Sequence, residues 1–131
     1  MLRNTMGYRI LVAEDDPNIL LSIEFLLGNA GYSVITASTG ERAWETLQQH
    51  APDLAVLDVM LPVIDGLELC RRMRTTARLQ SAKVVMLSAR GRDTEIRAGL
   101  QLGADAYMAK PFSTRDFLDT VARLLAPPAG H

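Results

Sequence analysis

The sequence predicts an α/β protein: a doubly wound sheet of five parallel strands with helices on its two faces. Three observations lead there. Short apolar runs alternate five times with longer stretches of helical periodicity, the pattern of successive βα units. The third and fourth runs are almost wholly apolar, as strands covered on both sides must be. An ionisable group or a hydroxyl follows four of the five runs, which is where an open parallel sheet collects its chemistry.

Taken in order, Arg9–Ala13 is the first strand. Asp16 then sets a capping carboxylate before Pro17, a residue suited to the first helical position. The apolar spacing of Ile19, Leu20, Ile23, Leu26 and Leu27 carries a helix to about Asn29, and Gly31 ends it. Ser33–Ala37 is the second strand. Ser38 and Glu41 have capping-box spacing ahead of a helix that runs to about Gln49. Residues 54–57 form the third strand, with a helix near 67–75. Residues 83–87 form the fourth, with a helix near 94–102 that Gly103 stops. Residues 106–109 form the fifth, and Ser113 with Asp116 repeats the capping pattern ahead of a last helix over 117–125. The tail from Ala126 to His131 has nothing to bury.

With 131 residues, 48% of them hydrophobic, the chain has the size of one domain able to bury a core without disulfide or metal staples. A net charge of -1 supplies no basic field, so no direct contact with nucleic acid is expected. The single cysteine, Cys70, excludes an intramolecular disulfide and fits a reducing cytoplasm. It reads as a half-buried helix residue rather than a reactive thiol. No apolar run approaches the ~20 residues of a membrane span, and residues 1–8 lack a signal-peptide core. A soluble, cytoplasmic chain with no membrane contact is expected, and Met6-Gly7 offers an alternative start.

The carboxyl ends of parallel strands lie along one edge, so residues there converge although distant in sequence. Glu14 and Asp15 follow the first strand, Asp58 the third, Ser88 the fourth and Lys110 the fifth. For a strand order 2-1-3-4-5, Glu14, Asp15 and Asp58 flank the crevice where the order reverses. Each residue alone has a plain explanation: Asp15 caps a helix, Asp58 sits in a loop, Ser88 forms a turn, Lys110 is a solvated charge. Jointly that explanation weakens, because three clustered carboxylates repel one another without a cation. Such a hard oxygen site suits Mg²⁺. Neither histidine suggests zinc, since His50 ends a helix and His131 is the terminal residue.

Over 9–125 the chain resembles the receiver domains of two-component response regulators. The resemblance rests on Glu14-Asp15, the run from Asp58 through Met60, Leu61 and Pro62 to Asp65-Gly66, the pair Ser88-Ala89, and the segment from Tyr107 through Lys110-Pro111 to Phe112. It implies a flavodoxin-like three-layer sandwich with five helices and sheet order 2-1-3-4-5, as in the chemotaxis regulators. The receiver would span 8–125, with 1–7 and 126–131 as flexible termini.

The same resemblance makes Asp58 the acceptor of a phosphoryl group from a phosphohistidine on a sensor histidine kinase or a phosphotransfer protein. It assigns Mg²⁺ to Asp15, Asp58 and the backbone carbonyl of Met60, with Glu14 acting through water. Lys110 and Ser88 would contact phosphoryl oxygens. Ser88 and Tyr107 would form the switch, with output to an effector or output domain through the fourth helix, fifth strand and fifth helix. The family's commoner threonine is Ser88 here, which implies looser coupling to Tyr107. Only self-phosphorylation and slow autodephosphorylation are expected, not enzymatic turnover.

Other residues receive lesser roles. Pro62 and Asp65-Gly66 shape the loop into the third helix. Lys110-Pro111 matches a family position with a cis peptide. Arg71, Arg72 and Arg74 read as a solvated helix face, and Trp44 as packed on the sheet or half exposed. Met60 and Arg90 are placed to tune the lifetime of the acyl phosphate. One subfamily of transcription factors dimerises through charged pairs on the output face. Ile96, Ala106 and Thr120 at comparable positions count against that dimer. A magnesium-dependent phosphatase with an aspartyl nucleophile is the alternative reading, but it calls for a second carboxylate where Met60 stands. A flavin-type binder calls for a phosphate-cradling loop where Glu14, Asp15 and Asp16 would repel phosphate.

Overall fold

The computed structural model describes residues 7–89 and 93–126. Strands β1 (Arg9–Ala13), β2 (Ser33–Ala37), β3 (Leu54–Asp58), β4 (Lys83–Ala89) and β5 (Ala106–Lys110) pair in parallel in the order β2-β1-β3-β4-β5. Helices α1 (Pro17–Asn29), α2 (Gly40–His50), α3 (Gly66–Arg74), α4 (Asp93–Gln101) and α5 (Thr114–Leu125) fill the connections. A 3-10 turn, Ala77–Leu79, stands before β4 and carries no sequence signal that anticipates it.

Alternation along the strands divides the core in two. In β3, Leu54 and Val56 face one side with Ile10, Val12, Val85 and Leu87, where Ile23 and Leu27 of α1 and Phe117 and Val121 of α5 cover them. Ala55 and Leu57 face the other side with Leu11, Val84 and Met86, beneath Ala43 and Leu47 of α2 and Leu69 and Met73 of α3. All five residues of β3 are buried, which is why that run carries no polar alternation.

The helix ends follow their caps. The Asp16 carboxylate accepts from Asn18 N–H at 2.9 Å and Ile19 N–H at 3.3 Å, a contribution of about 1 kcal/mol. Ser113 Oγ accepts from Asp116 N–H at 3.1 Å as expected. Gly31 and Gly103 take φ of +101° and +103°, beyond the ends of α1 and α4. At α2 the expectation of Ser38 is corrected by one residue. Thr39 is the extended cap, and its Oγ1 accepts from Arg42 N–H at 3.1 Å.

Further expectations change. Strands β3, β4 and β5 run on to Asp58, Ala89 and Lys110, because ladder pairing continues through Asp58 with Leu87, Ser88 with Ala109 and Ala89 with Lys110. Asp58, Ser88 and Lys110 are therefore strand residues, held more rigidly than loop residues would be. Cys70 is fully buried rather than half-buried, and burial pushes its thiol pKa up.

The basic stretch of α3 also divides. Arg71 and Arg72 pair with Glu68, whereas Arg74 turns inward onto the carbonyls of Gly103, Gln80 and Ala82. Trp44 is half-buried, with the Arg72 guanidinium 5.3 Å from its ring centre. The expected flexible termini, apart from Gly7 and Ala126, lie outside the described residues, as do Arg90, His131 and the side chain of Ile96.

Candidate functional site

The site forms where the sheet order reverses, at the carboxyl ends of β1 and β3, with β5 contributing from two strands away. Strand alternation explains the convergence. Glu14 follows Val12, Asp58 follows Val56 and Lys110 follows Met108 at intervals of two, so all three side chains rise on the face covered by α1 and α5. Lys110 lies opposite Ala89 on β4. A methyl group there leaves the lysine a path over β4 toward Asp58, and Ala89 lines the resulting cleft with Glu14, Asp15, Asp58, Met60 and Lys110.

Glu14 has no exposed surface. Its Oε2 accepts from Asp16 N–H at 3.1 Å, and its Oε1 lies 3.0 Å from Lys110 Nζ. Burial drives its carboxyl pKa up to about 7 from the ordinary 4.5. The negative Asp58 adds to the rise, while the Asp16 N–H and Lys110 oppose it. Asp58 is 2% exposed, with Oδ1 accepting from Met60 N–H at 3.1 Å and Oδ2 3.4 Å from Lys110 Nζ. Burial pulls the Lys110 pKa down, but Glu14 and Asp58 outweigh it and hold the ammonium above its usual range.

Carboxylate oxygens of Glu14, Asp15 and Asp58 lie within 4.8 Å of one another, Asp15 alone being exposed. Among the described residues, these three clustered carboxylates face a single lysine. That is a hard, oxygen-only donor set short of positive charge, the chemistry of a Mg²⁺ or Ca²⁺ site. The residues present fit a divalent cation.

The remaining expected residues sit beside this group rather than in it. Ser88, 1% exposed in β4, donates to the Ala89 carbonyl at 3.3 Å. It shares the alternation of Met86, opposite which Tyr107 is paired and packed half-buried against the core beneath α2 and α3. Ser88 and Tyr107 therefore stand on one face of the sheet, and Glu14, Asp58 and Lys110 on the other. The Lys110-Pro111 peptide is cis.

The loop from Val59 to Asp65 docks through the Pro62 carbonyl, which accepts from Gly40 N–H at 3.1 Å, and through Gly66 N–H, which donates to Val59 O at 3.1 Å. Its contact with Gly40 is absent from the sequence reading, as is the part of Ala89. A glycine or an alanine signals nothing about what lies above it in space.

No described helix is long and apolar enough to cross a membrane. Residues 10–122 match the response regulator receiver domain family. The alkaline phosphatase synthesis transcriptional regulatory protein PhoP of Bacillus subtilis is 42% identical over 120 residues, covering 92% of this chain and 49% of PhoP. Among solved structures, the BeF3-activated receiver domain of DrrB from Thermotoga maritima superimposes with a TM-score of 0.83 at 36% identity, covering 92% of this chain and 98% of that one. The chemotaxis response regulator CheY4 of Vibrio cholerae does so with 0.85 at 28% identity, covering 92% and 99%.

This chain spans about half the length of the curated relatives it matches. Several of those are named transcriptional regulators, so the expected absence of nucleic-acid contact does not carry over to the longer proteins. Family match, relatives and strand-end chemistry agree: the chain belongs to the response regulator receiver domain family and is a signalling module of two-component systems rather than a classical enzyme.

Proposed function

We propose that Asp58 accepts a phosphoryl group from a phosphohistidine on a sensor histidine kinase or phosphotransfer protein, and that the resulting charge is the signal. The observation that carries this is the placement of Lys110 Nζ 3.4 Å from a nearly buried Asp58 carboxylate that shares its cleft with Glu14 and Asp15. In the transfer the P–N bond to the donor imidazole breaks and a P–O bond to an Asp58 oxygen forms.

Asp58 supplies a weak nucleophile, so rate must come from alignment and from neutralising phosphoryl oxygens. The Met60 N–H fixes one Asp58 oxygen, and Lys110 supplies positive charge beside the other. Asp15, Asp58 and the Met60 carbonyl would hold Mg²⁺, with Glu14 acting through water. The ion, when bound, adds charge neutralisation.

Phosphorylation adds roughly -1.5 to -2 charges and three acceptor oxygens. The Ser88 hydroxyl stands at the end of β4 on the alternation opposite that of Asp58, and Tyr107 shares its face. A shift of Ser88 toward the phosphoryl group would free space for Tyr107 and alter the surface of α4, β5 and α5 that an effector or output domain reads. By the names of its curated relatives, transcription is the process such a switch would control.

Incubation with acetyl phosphate or phosphoramidate and Mg²⁺, read by intact mass, tests the proposal. Wild type should gain one phosphoryl group, and Asp58→Asn none. An unmodified wild type would sink it. Sustained turnover of small phosphate esters would favour a phosphatase, a reading that the side chain of Met60, apolar where such enzymes place a second acid, opposes.

A further inference from the structure

The loop that carries the Met60 carbonyl is fixed from two places. At its base Gly66 N–H donates to Val59 O at 3.1 Å, and Met60 N–H donates to Asp58 Oδ1 at 3.1 Å. Both ties lie within the β3 to α3 connection itself. At its far end the loop is tied to another element. Gly40, the first residue of α2, donates its N–H to Pro62 O at 3.1 Å. The same carbonyl accepts from Ile64 N–H at 2.9 Å across Val63, whose φ is +72°, so one oxygen fixes both the turn and its seat on α2.

The seat depends on the missing side chain of Gly40. A Cβ there would overlap the Ile64 carbonyl, and backbone cannot rotate aside as a side chain can. Gly40 is buried in α2 and has no positive φ, so the glycine is demanded by the neighbouring loop and not by its own backbone. Helix α2 is a firm support, since Ala43 and Leu47 on its inner face are buried in the core. The path from the seat to the cleft is short and stiff. Leu61 is buried in the same core cluster, Pro62 has a ring-fixed φ, and Met60 lines the cleft beside Asp15 and Asp58.

We infer that Gly40 is a positioning residue for the divalent-cation site: by letting the 62–64 backbone lie against α2, it holds the Met60 carbonyl in place at the cleft. The inference rests on the reading that this carbonyl, with Asp15 and Asp58, holds Mg²⁺. Coupling of this kind is reciprocal. A contact that strengthens binding of the cation is strengthened by the cation in the same proportion.

The first test therefore needs no variant. Amide hydrogen exchange of wild type is followed by NMR with and without saturating Mg²⁺ at constant ionic strength. Gly40 N–H should exchange about tenfold more slowly with Mg²⁺, a coupling of ordinary size. Arg42 N–H, which donates to Thr39 Oγ1 within α2, should change by less than about twofold. The second test compares Gly40→Ala with Thr39→Ala by calorimetric titration with Mg²⁺. Thr39→Ala removes the helix cap and lowers Tm but leaves the glycine seat intact. The Kd for Mg²⁺ should rise about tenfold in Gly40→Ala and stay within about twofold of wild type in Thr39→Ala.

Three results overturn the inference: a Gly40 amide indifferent to Mg²⁺, a folded Gly40→Ala with the wild-type Kd, or an equal loss of affinity in Thr39→Ala. Should Gly40→Ala fail to fold, the exchange of wild type decides. Absence of Mg²⁺ binding to wild type would refute the metal reading itself, whereas binding with an unresponsive Gly40 amide overturns this inference alone.

Discussion

The Lys110 ammonium lies 3.0 Å from Glu14 Oε1, joining residues 96 positions apart at the mouth of the sheet. The same nitrogen stands 3.4 Å from Asp58 Oδ2, so one partly exposed cation answers two buried carboxylates.

Removing that cation should be costly for the fold. Lys110→Met leaves Glu14 and Asp58 buried without their partner, and a loss of about 2–4 kcal/mol is expected at neutral pH, below the cost for a fully enclosed pair because the lysine side chain is 21% exposed. Combining it with Glu14→Gln should cost less than the two single losses added. A double-mutant cycle from urea unfolding should give a coupling of about 1 kcal/mol or more. Strict additivity would show that the two groups do not interact.

Stability should fall as the medium becomes less acidic. Burial raises the Glu14 pKa from 4.5 to about 7, so the folded state binds this proton more tightly than the unfolded state does. That contribution is fully present below about 4.5 and is lost as pH rises through about 7. It amounts to on the order of 2–3 kcal/mol. Glu14→Gln should flatten the slope over that window. Mg²⁺ should raise Tm more at pH 8 than at pH 5, since protons compete with the cation for the carboxylates; equal shifts would count against a metal site.

Two glycines should respond to alanine with opposite signs. At Gly40 a Cβ would collide with the backbone of Ile64, so Gly40→Ala should lose about 3 kcal/mol or more and disturb the Asp58 loop. At Gly28, in α1 with open space around it, alanine should gain about 0.5–1 kcal/mol from helix propensity. Thermal denaturation of both variants decides the matter.

Arg74 should prove structural. Its guanidinium donates to Gly103 O at 2.9 and 2.7 Å, to Gln80 O at 2.9 Å, to Ala82 O at 2.6 Å and to Asp105 Oδ2 at 2.8 Å. Arg74→Ala orphans several of these acceptors, at an expected cost of about 2–4 kcal/mol. Arg74→Lys should restore less than half, because one ammonium cannot replace a planar fork. Amide exchange over residues 103–105 should accelerate in both variants.

Much of the fold was legible from residues acting on near neighbours. The apolar runs marked all five strands, Asp16 and Ser113 marked helix starts, and the acidic residues at the ends of β1 and β3 marked the edge to search. Legibility failed where a local signal was ambiguous by one residue, as between Ser38 and Thr39, or where the partner was remote, as for Arg74, whose charge alone suggested a solvated face.

The sequence by itself determined which segments are strands and helices, and that Glu14, Asp15, Asp58 and Lys110 stand at strand ends, because periodicity and capping act within a turn or two of chain. Tertiary structure decided the rest. The pairing of Lys110 with Glu14 across Ala89, the burial that lifts the Glu14 pKa, and the left-handed turn at Val63 clamped by Gly40 depend on strand order and on groups distant in sequence. No neighbouring residue encodes them, since those distances and that burial exist only once the sheet and its helices have packed.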